Sequence, residues 1–137
     1  MRTAIDTNIL SAIWSNEPGA REILQHLGDA KSLGALLISP VVYAELLAYP
    51  KANEAFLNRF LSETGITVDF QLDESVWVEA GRRFARYAGH RRKSGSGEPK
   101  RLLADFLIGS QALLQADRLM SLDPTRYKHY FPELKLV

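Results

Sequence analysis

Four acidic side chains, Asp6, Glu45, Asp105 and Asp123, stand where an acid is either costly or well placed for chemistry. Asp6 lies between a short β-type run (Thr3, Ala4, Ile5) and an apolar, helix-like stretch from Ile9. Asp123 repeats that seam between the run Leu119 to Leu122 and Pro124. Ligands of open α/β sheets bind where strands end and helices begin, so both acids fall in the expected site region. Glu45 and Asp105 are instead isolated charges within apolar helical stretches. A carboxylate held on an apolar face is costly unless a cation or hydrogen bonds compensate it. Brought together, the four acids would repel one another unless a cation neutralised them. Oxygen donors without His or Cys select hard ions, Mg²⁺ or Mn²⁺. Carboxylate clusters of this type position water and stabilise developing charge in phosphodiester hydrolysis, using one or two metals.

Each acid also has an ordinary structural account. Asp6 and Asp123 are good N-caps, the latter with Pro124 at the first helical position. Glu45 could turn outward or pair with an arginine. Asp105 falls in a first helical turn, where the helix dipole favours negative charge.

The elements that must position these acids can be read from periodicity and breakers. Ile9, Leu10 and Ile13 share a helical face, and Asn16 to Gly19 separates them from a second amphipathic run through Ile23, Leu24 and Leu27. The continuous apolar run from Ala35 to Ile38 has the character of a buried parallel strand. Ser39 and Pro40 then start a helix from Val41 to Tyr49, stopped by Pro50. A further helix from Ala52 to Leu61, a strand from Ile66 to Phe70 and a helix opened by Asp73 and Glu74 continue the alternation. The most apolar helix runs from Leu102 to Leu114, and Gly109 within it leaves room for another backbone or a ligand near Asp105. Leu119 to Leu122 predicts another strand, followed by a short helix with Tyr127 and Tyr130 and a final strand from Leu134 to Val137.

Composition narrows the class. A length of 137 residues predicts a single domain over 1–137, and 46% hydrophobic with 24% charged residues excludes a disordered or fibrous chain. There is no apolar run of the roughly 18 residues that a membrane helix needs, and no leader-like start, so a cytoplasmic protein without a membrane partner is expected. The absence of cysteine excludes disulfides, thiolate metal sites and a cysteine nucleophile. His26, His90 and His129 are scattered and give no histidine-centred zinc site. The stretch Ser94 to Gly97 lacks the setting of a nucleophile elbow, and no phosphate-binding Gly-rich loop is present.

The net charge of +1 conceals a segregation. Residues 82–101 carry eight basic side chains against one acid, Glu98, and the rest of the chain carries nine basic and fifteen acidic ones. Arg91, Arg92, Lys93, Lys100 and Arg101 are candidates for holding a phosphate backbone, set against a merely solvated helix end and loop.

The hexapeptide Ile5 to Leu10, Glu45, the segment Leu103 to Gly109 and Ser121, Leu122 and Asp123 together resemble a PIN domain, and the resemblance runs over essentially the whole chain. The size is similar to a VapC-type toxin of a toxin–antitoxin pair. The resemblance implies a three-layer α/β/α sandwich around a mainly parallel sheet of four to five strands. It also implies a metal-dependent endoribonuclease, with Asp6, Glu45, Asp105 and Asp123 as catalytic and metal-binding residues for Mg²⁺ or Mn²⁺. Asn8 and Ser121 would support that shell by hydrogen bonding, Ser121 standing where the family often has Thr. Ser110 and Gln111 replace the Ala-His pair of many relatives, which puts that histidine's part in substrate handling in doubt. RNA is the implied substrate, and a cognate small antitoxin and a second copy in a homodimer are the implied partners. A PIN domain of RNA processing or RNA binding outside a toxin system is the alternative. A phospho-accepting receiver domain with Mg²⁺ is more distant, because its acids should follow strands and Glu45 and Asp105 do not.

Overall fold

The computed structural model describes residues 1–95 and 103–137. The chain alternates β1 (Thr3–Ile5), α1 (Thr7–Trp14), α2 (Ala20–Leu33), β2 (Leu36–Ile38), α3 (Pro40–Leu47), α4 (Glu54–Thr64), β3 (Ile66–Val68), α5 (Glu74–Lys93), α6 (Leu103–Gln115), β4 (Arg118–Met120) and α7 (Pro124–Tyr130). The four strands form one parallel sheet in the order β3-β2-β1-β4, with Thr3 opposite Leu36 and Arg118, and Leu36 opposite Ile66. Every residue of β1 and β2 is buried, as expected of parallel strands covered by helices.

The connections from β1 to β2 to β3 step one way along the sheet, and the connection to β4 returns to the far side of β1. Right-handed crossovers therefore carry α1 to α4 over one face and α5 and α6 over the other, the layered α/β/α arrangement that the resemblance implies. Accordingly α1 packs on α2 and α3, and α5 packs on α6. The carboxyl ends of β1 and β4 lie side by side at the switch between the two directions, where such sheets open a crevice.

Local chemistry explains the element starts. The Ser39 hydroxyl accepts from the Val42 amide, with Pro40 in the first turn of α3. Asn53 caps α4 by accepting from Phe56. On the α1 side, the Trp14 ring meets Tyr49, Phe56 and Phe60 edge-on at centroid distances of 5.3, 5.1 and 5.3 Å, which ties α1 to α4 and to the residues after α3.

Two details depart from expectation and one agrees with it. The predicted final strand reduces to a single parallel bridge between Leu119 and Leu136, so the sheet has four strands. Residues 82–93 of the basic run form the end of one long helix, α5, which stops before Ser94 as the sequence reading has it. The space beside Gly109 is filled by the Phe131 ring and not by a ligand: a Cβ at Gly109 would stand 2.3 Å from that ring. Glycine is required there so that α6 and the end of α7 can touch.

Candidate functional site

Asp6 closes β1 and opens α1. Its Oδ1 accepts from the Thr7 amide at 2.8 Å, and its Oδ2 accepts from the Ser121 hydroxyl at 2.8 Å. The side chain is thus an N-cap and also faces the end of β4. Asp6 is 6% exposed. Burial raises its pKa above the ordinary carboxylate value, the Ser121 and Thr7 hydrogen bonds oppose the rise, and the charge of Asp105 adds to it.

Asn8 and Ser121 tie the two strand ends together. The Asn8 amide donates to the Ser121 hydroxyl oxygen at 3.4 Å and its carbonyl accepts from the Leu122 amide at 3.1 Å. Ser121 in turn accepts from the Asp123 amide at 3.0 Å. One hydroxyl therefore links Asp6, Asn8 and the backbone that presents Asp123.

Glu45 is exposed on α3, which corrects the expectation that it lies on a buried apolar face. The helix turns it over the rim of the site, where its Oε1 accepts from the Thr7 hydroxyl at 2.6 Å. Partial desolvation raises its pKa, with Asp6 and Asp105 adding repulsion. Thr7 carries no signal beyond its place between Asp6 and Asn8, and sequence reasoning assigned it no role.

Asp105 stands in the first turn of α6 and Asp123 caps α7 by accepting from the Arg126 amide at 3.4 Å. Arg126 lies between them. Its Nη1 donates to Asp105 Oδ2 at 2.6 Å, and its Nε donates to Asp123 Oδ2 at 2.7 Å while Nη2 closes on the same oxygen. The hydrogen bond with Asp123, followed by the charge of Asp105, raises the Arg126 pKa against the opposing effect of desolvation. Sequence reasoning missed this residue; the available signal was its place three positions after a capping aspartate, where helical neighbours meet. Tyr127, buried at 1% exposure, turns its hydroxyl toward Asp6 without closing an ordinary hydrogen bond, and burial together with Asp6 and Asp105 raises its pKa.

Asp6, Glu45 and Asp105 therefore feel one another's charge, and Asp123 joins Asp105 through a shared guanidinium. Among the described residues, no three acidic or histidine side chains converge as they stand into a group that would enclose a metal ion. The donor chemistry nevertheless fits one. The candidate ligands are carboxylate oxygens suited to a hard cation, and two of them already hold a cationic group, that of Arg126.

The basic residues divide. Arg91, Arg92 and Lys93 lie in the last turn of α5, whereas Lys100 and Arg101 lie outside the described residues. Arg91 borders a cavity of about 390 Å³ between α5, α6 and the end of α7. Arg83, earlier in the same run, is a packed strut: it donates to Glu79 at 2.7 Å, to Glu133 at 2.5 Å and to the Tyr130 carbonyl at 2.8 Å, and lies 4.6 Å over the Phe131 ring. Gln111, 1% exposed within α6, is part of the core.

The sequence is matched by the PIN domain family over residues 3–131. In three dimensions the chain is similar to VapBC2 from Rickettsia felis, solved bound to a DNA fragment from its promoter, with a TM-score of 0.68, 19% identity and coverage of 100% of this chain and 98% of the other. It is similar to VapBC-1 from nontypeable Haemophilus influenzae with a TM-score of 0.67, 23% identity and coverage of 100% and 97%. FitAcB from Neisseria gonorrhoeae aligns with a TM-score of 0.63, 20% identity and coverage of 98% and 95%. None of the curated proteins compared with the chain is significantly similar to it in sequence.

Proposed function

The chain belongs to the PIN domain family, whose domains are nucleases, and on that premise we propose that it is a metal-dependent endoribonuclease acting as the toxin of a toxin–antitoxin pair. The observation that carries this reading is the gathering of Asp6, Glu45 and Asp105 within electrostatic reach at the sheet's switch point, with Asp123 linked to Asp105 by Arg126. In this reading residues 1–137 act as one nuclease domain.

Asp6, Glu45, Asp105 and Asp123 would hold Mg²⁺ or Mn²⁺, which when bound supplies Lewis-acid stabilisation of phosphate charge and an activated water. Asp6 enters that shell pre-aligned, because the Thr7 amide and the Ser121 hydroxyl each fix one of its oxygens. Asn8 holds Ser121 and the Leu122 amide, and so keeps the β4 end at a set distance from Asp6. Thr7 orients Glu45 across the rim. Arg126 neutralises Asp105 and Asp123, and its guanidinium is a group suited to a phosphodiester oxygen. Arg91, Arg92 and Lys93, with Lys100 and Arg101, would hold the RNA backbone.

The toxin assignment draws on full-length likeness to proteins whose structures are named as VapBC and FitAcB. A small cognate antitoxin and a homodimer are the corresponding partners.

The test is cleavage of single-stranded RNA with Mg²⁺ or Mn²⁺ by the purified wild type and by Asp105→Asn. The variant should retain the fold by circular dichroism and lose at least about 100-fold in rate, the scale of removing a charged transition-state contact. Undiminished cleavage by the variant would overturn the site assignment.

A further inference from the structure

We propose that the cavity between α5, α6 and α7 is a subsite for one unpaired nucleotide of the RNA strand, beside the acidic centre. The proposal rests on the nuclease reading above and names where that reading's substrate is gripped. The cavity measures about 390 Å³, within the roughly 300–1,000 Å³ that small-molecule sites span. A single base with its sugar and phosphate is a ligand of that class.

Its lining has two parts with separate chemistry. Tyr87, Phe106 and Tyr130 form an aromatic wall with mutual centroid distances of 5.8, 5.5 and 5.0 Å. Phe106 is buried and backs the wall, while the half-buried rings of Tyr87 and Tyr130 can accept the face of any base by stacking, without demanding a sequence. Arg86, His90 and His129 stand exposed at the rim, where a phosphate attached to a stacked base would lie. Arg83, also on the lining, is committed to Glu79 and Glu133 and fixes the wall.

The cavity is also tied to the acids. Tyr130 follows closely after Arg126 on α7 and lies within electrostatic reach of both Asp105 and Arg126. A nucleotide stacked on Tyr130 therefore belongs to the same strand as a phosphodiester at the acidic centre. A paired base cannot enter, since its stacking faces are covered within the duplex. The site selects single strands for that reason.

The experiment measures binding by fluorescence anisotropy in EDTA, with a fluorescein-labelled single-stranded octa-adenylate and a labelled RNA duplex of equal length. Arg86→Ala and His129→Ala are the variants, and Arg59→Ala on α4, away from the cavity, is the charge control. Each cavity variant is expected to bind the single strand about tenfold more weakly, the scale of one charge-assisted contact, with no comparable loss on the duplex. An abasic octamer should bind the wild type about tenfold more weakly than octa-adenylate, which a purely electrostatic patch would not cause. Wild-type affinity in both variants, an equal loss on the duplex, or equal binding of the abasic strand would overturn the subsite. So would displacement of the RNA by an acidic peptide whose own binding needs Arg86 while the RNA's does not. Cleavage of RNA by the wild type together with unaffected variants removes the subsite alone; failure of the wild type to bind or cut any RNA removes the nuclease reading itself.

Discussion

At the scale of residues, the site is a set of acids held short of mutual repulsion by hydrogen bonds and one arginine. Asp6 holds a proton more tightly in the folded chain than in the unfolded one, whose carboxyl keeps the ordinary value of 3.8. Folding therefore takes up protons above that value. The stability this acid contributes is fully present below 3.8 and is lost as pH rises through its raised folded pKa. In EDTA, Asp6→Asn should show a shallower fall of Tm than the wild type as pH rises above 3.8. Identical slopes would mean that burial does not govern Asp6. Arg126 gives the complementary prediction. Its side chain is 38% exposed, so solvent screening limits its pairing, and Arg126→Ala should cost the metal-free protein about 1 kcal/mol, measured by denaturant melts. Mg²⁺ should raise the Tm of this variant more than that of the wild type, because no internal cation then competes for Asp105 and Asp123. An unchanged increment would separate Arg126 from the metal site. The acids themselves were legible in the sequence because each broke an apolar or strand-to-helix pattern. Thr7 and Arg126 were not, since a threonine in a helix's first turn and an arginine on a surface helix are ordinary wherever they occur.

At the scale of elements, caps and breakers carried most of the information. Ser39 with Pro40 marked the start of α3, and Asp123 with Pro124 marked α7, because each pair satisfies a helix end in a way other residues do not. The outward turn of Glu45 was one of the readings open in the sequence, and the choice among them depends on which neighbouring helix covers α3. The same holds for Gly109. An open position near Asp105 was visible, but its occupant, Phe131, comes from beyond the next strand and helix. Gly109→Ala should destabilise the protein by about 1–3 kcal/mol through overpacking, with cleavage by the surviving folded fraction little changed. A variant as stable as the wild type would show that α6 and Phe131 can separate without cost. Arg83 carries a similar lesson: within a run of basic residues, one member is a buried strut whose charge is spent on Glu79 and Glu133.

At the scale of the whole molecule, the parallel order β3-β2-β1-β4 makes the site. Three-residue strands leave little room for alternation, so the existence of β1 to β4 was readable while their limits and the missing fifth strand were not. The same topology sets the basic helix α5 against α6, beside the acids, and so brings opposite charges to adjacent parts of one surface. It also links Asp6 to a distant aromatic group. Asp6 caps α1, and α1 ends in Trp14, whose indole is wedged among Tyr49, Phe56 and Phe60. The other tryptophan, Trp77, is 54% exposed. A Trp77→Phe protein therefore carries a single tryptophan, which can be excited apart from the five tyrosines, at the far end of the helix that the first catalytic candidate begins. Its emission should lie to the blue of free indole and shift when a cation is added, and the shift should vanish in Asp6→Asn; an emission indifferent to both would mean that α1 does not move with its cap. Occupancy of the acidic centre could then be followed optically, without RNA and without turnover.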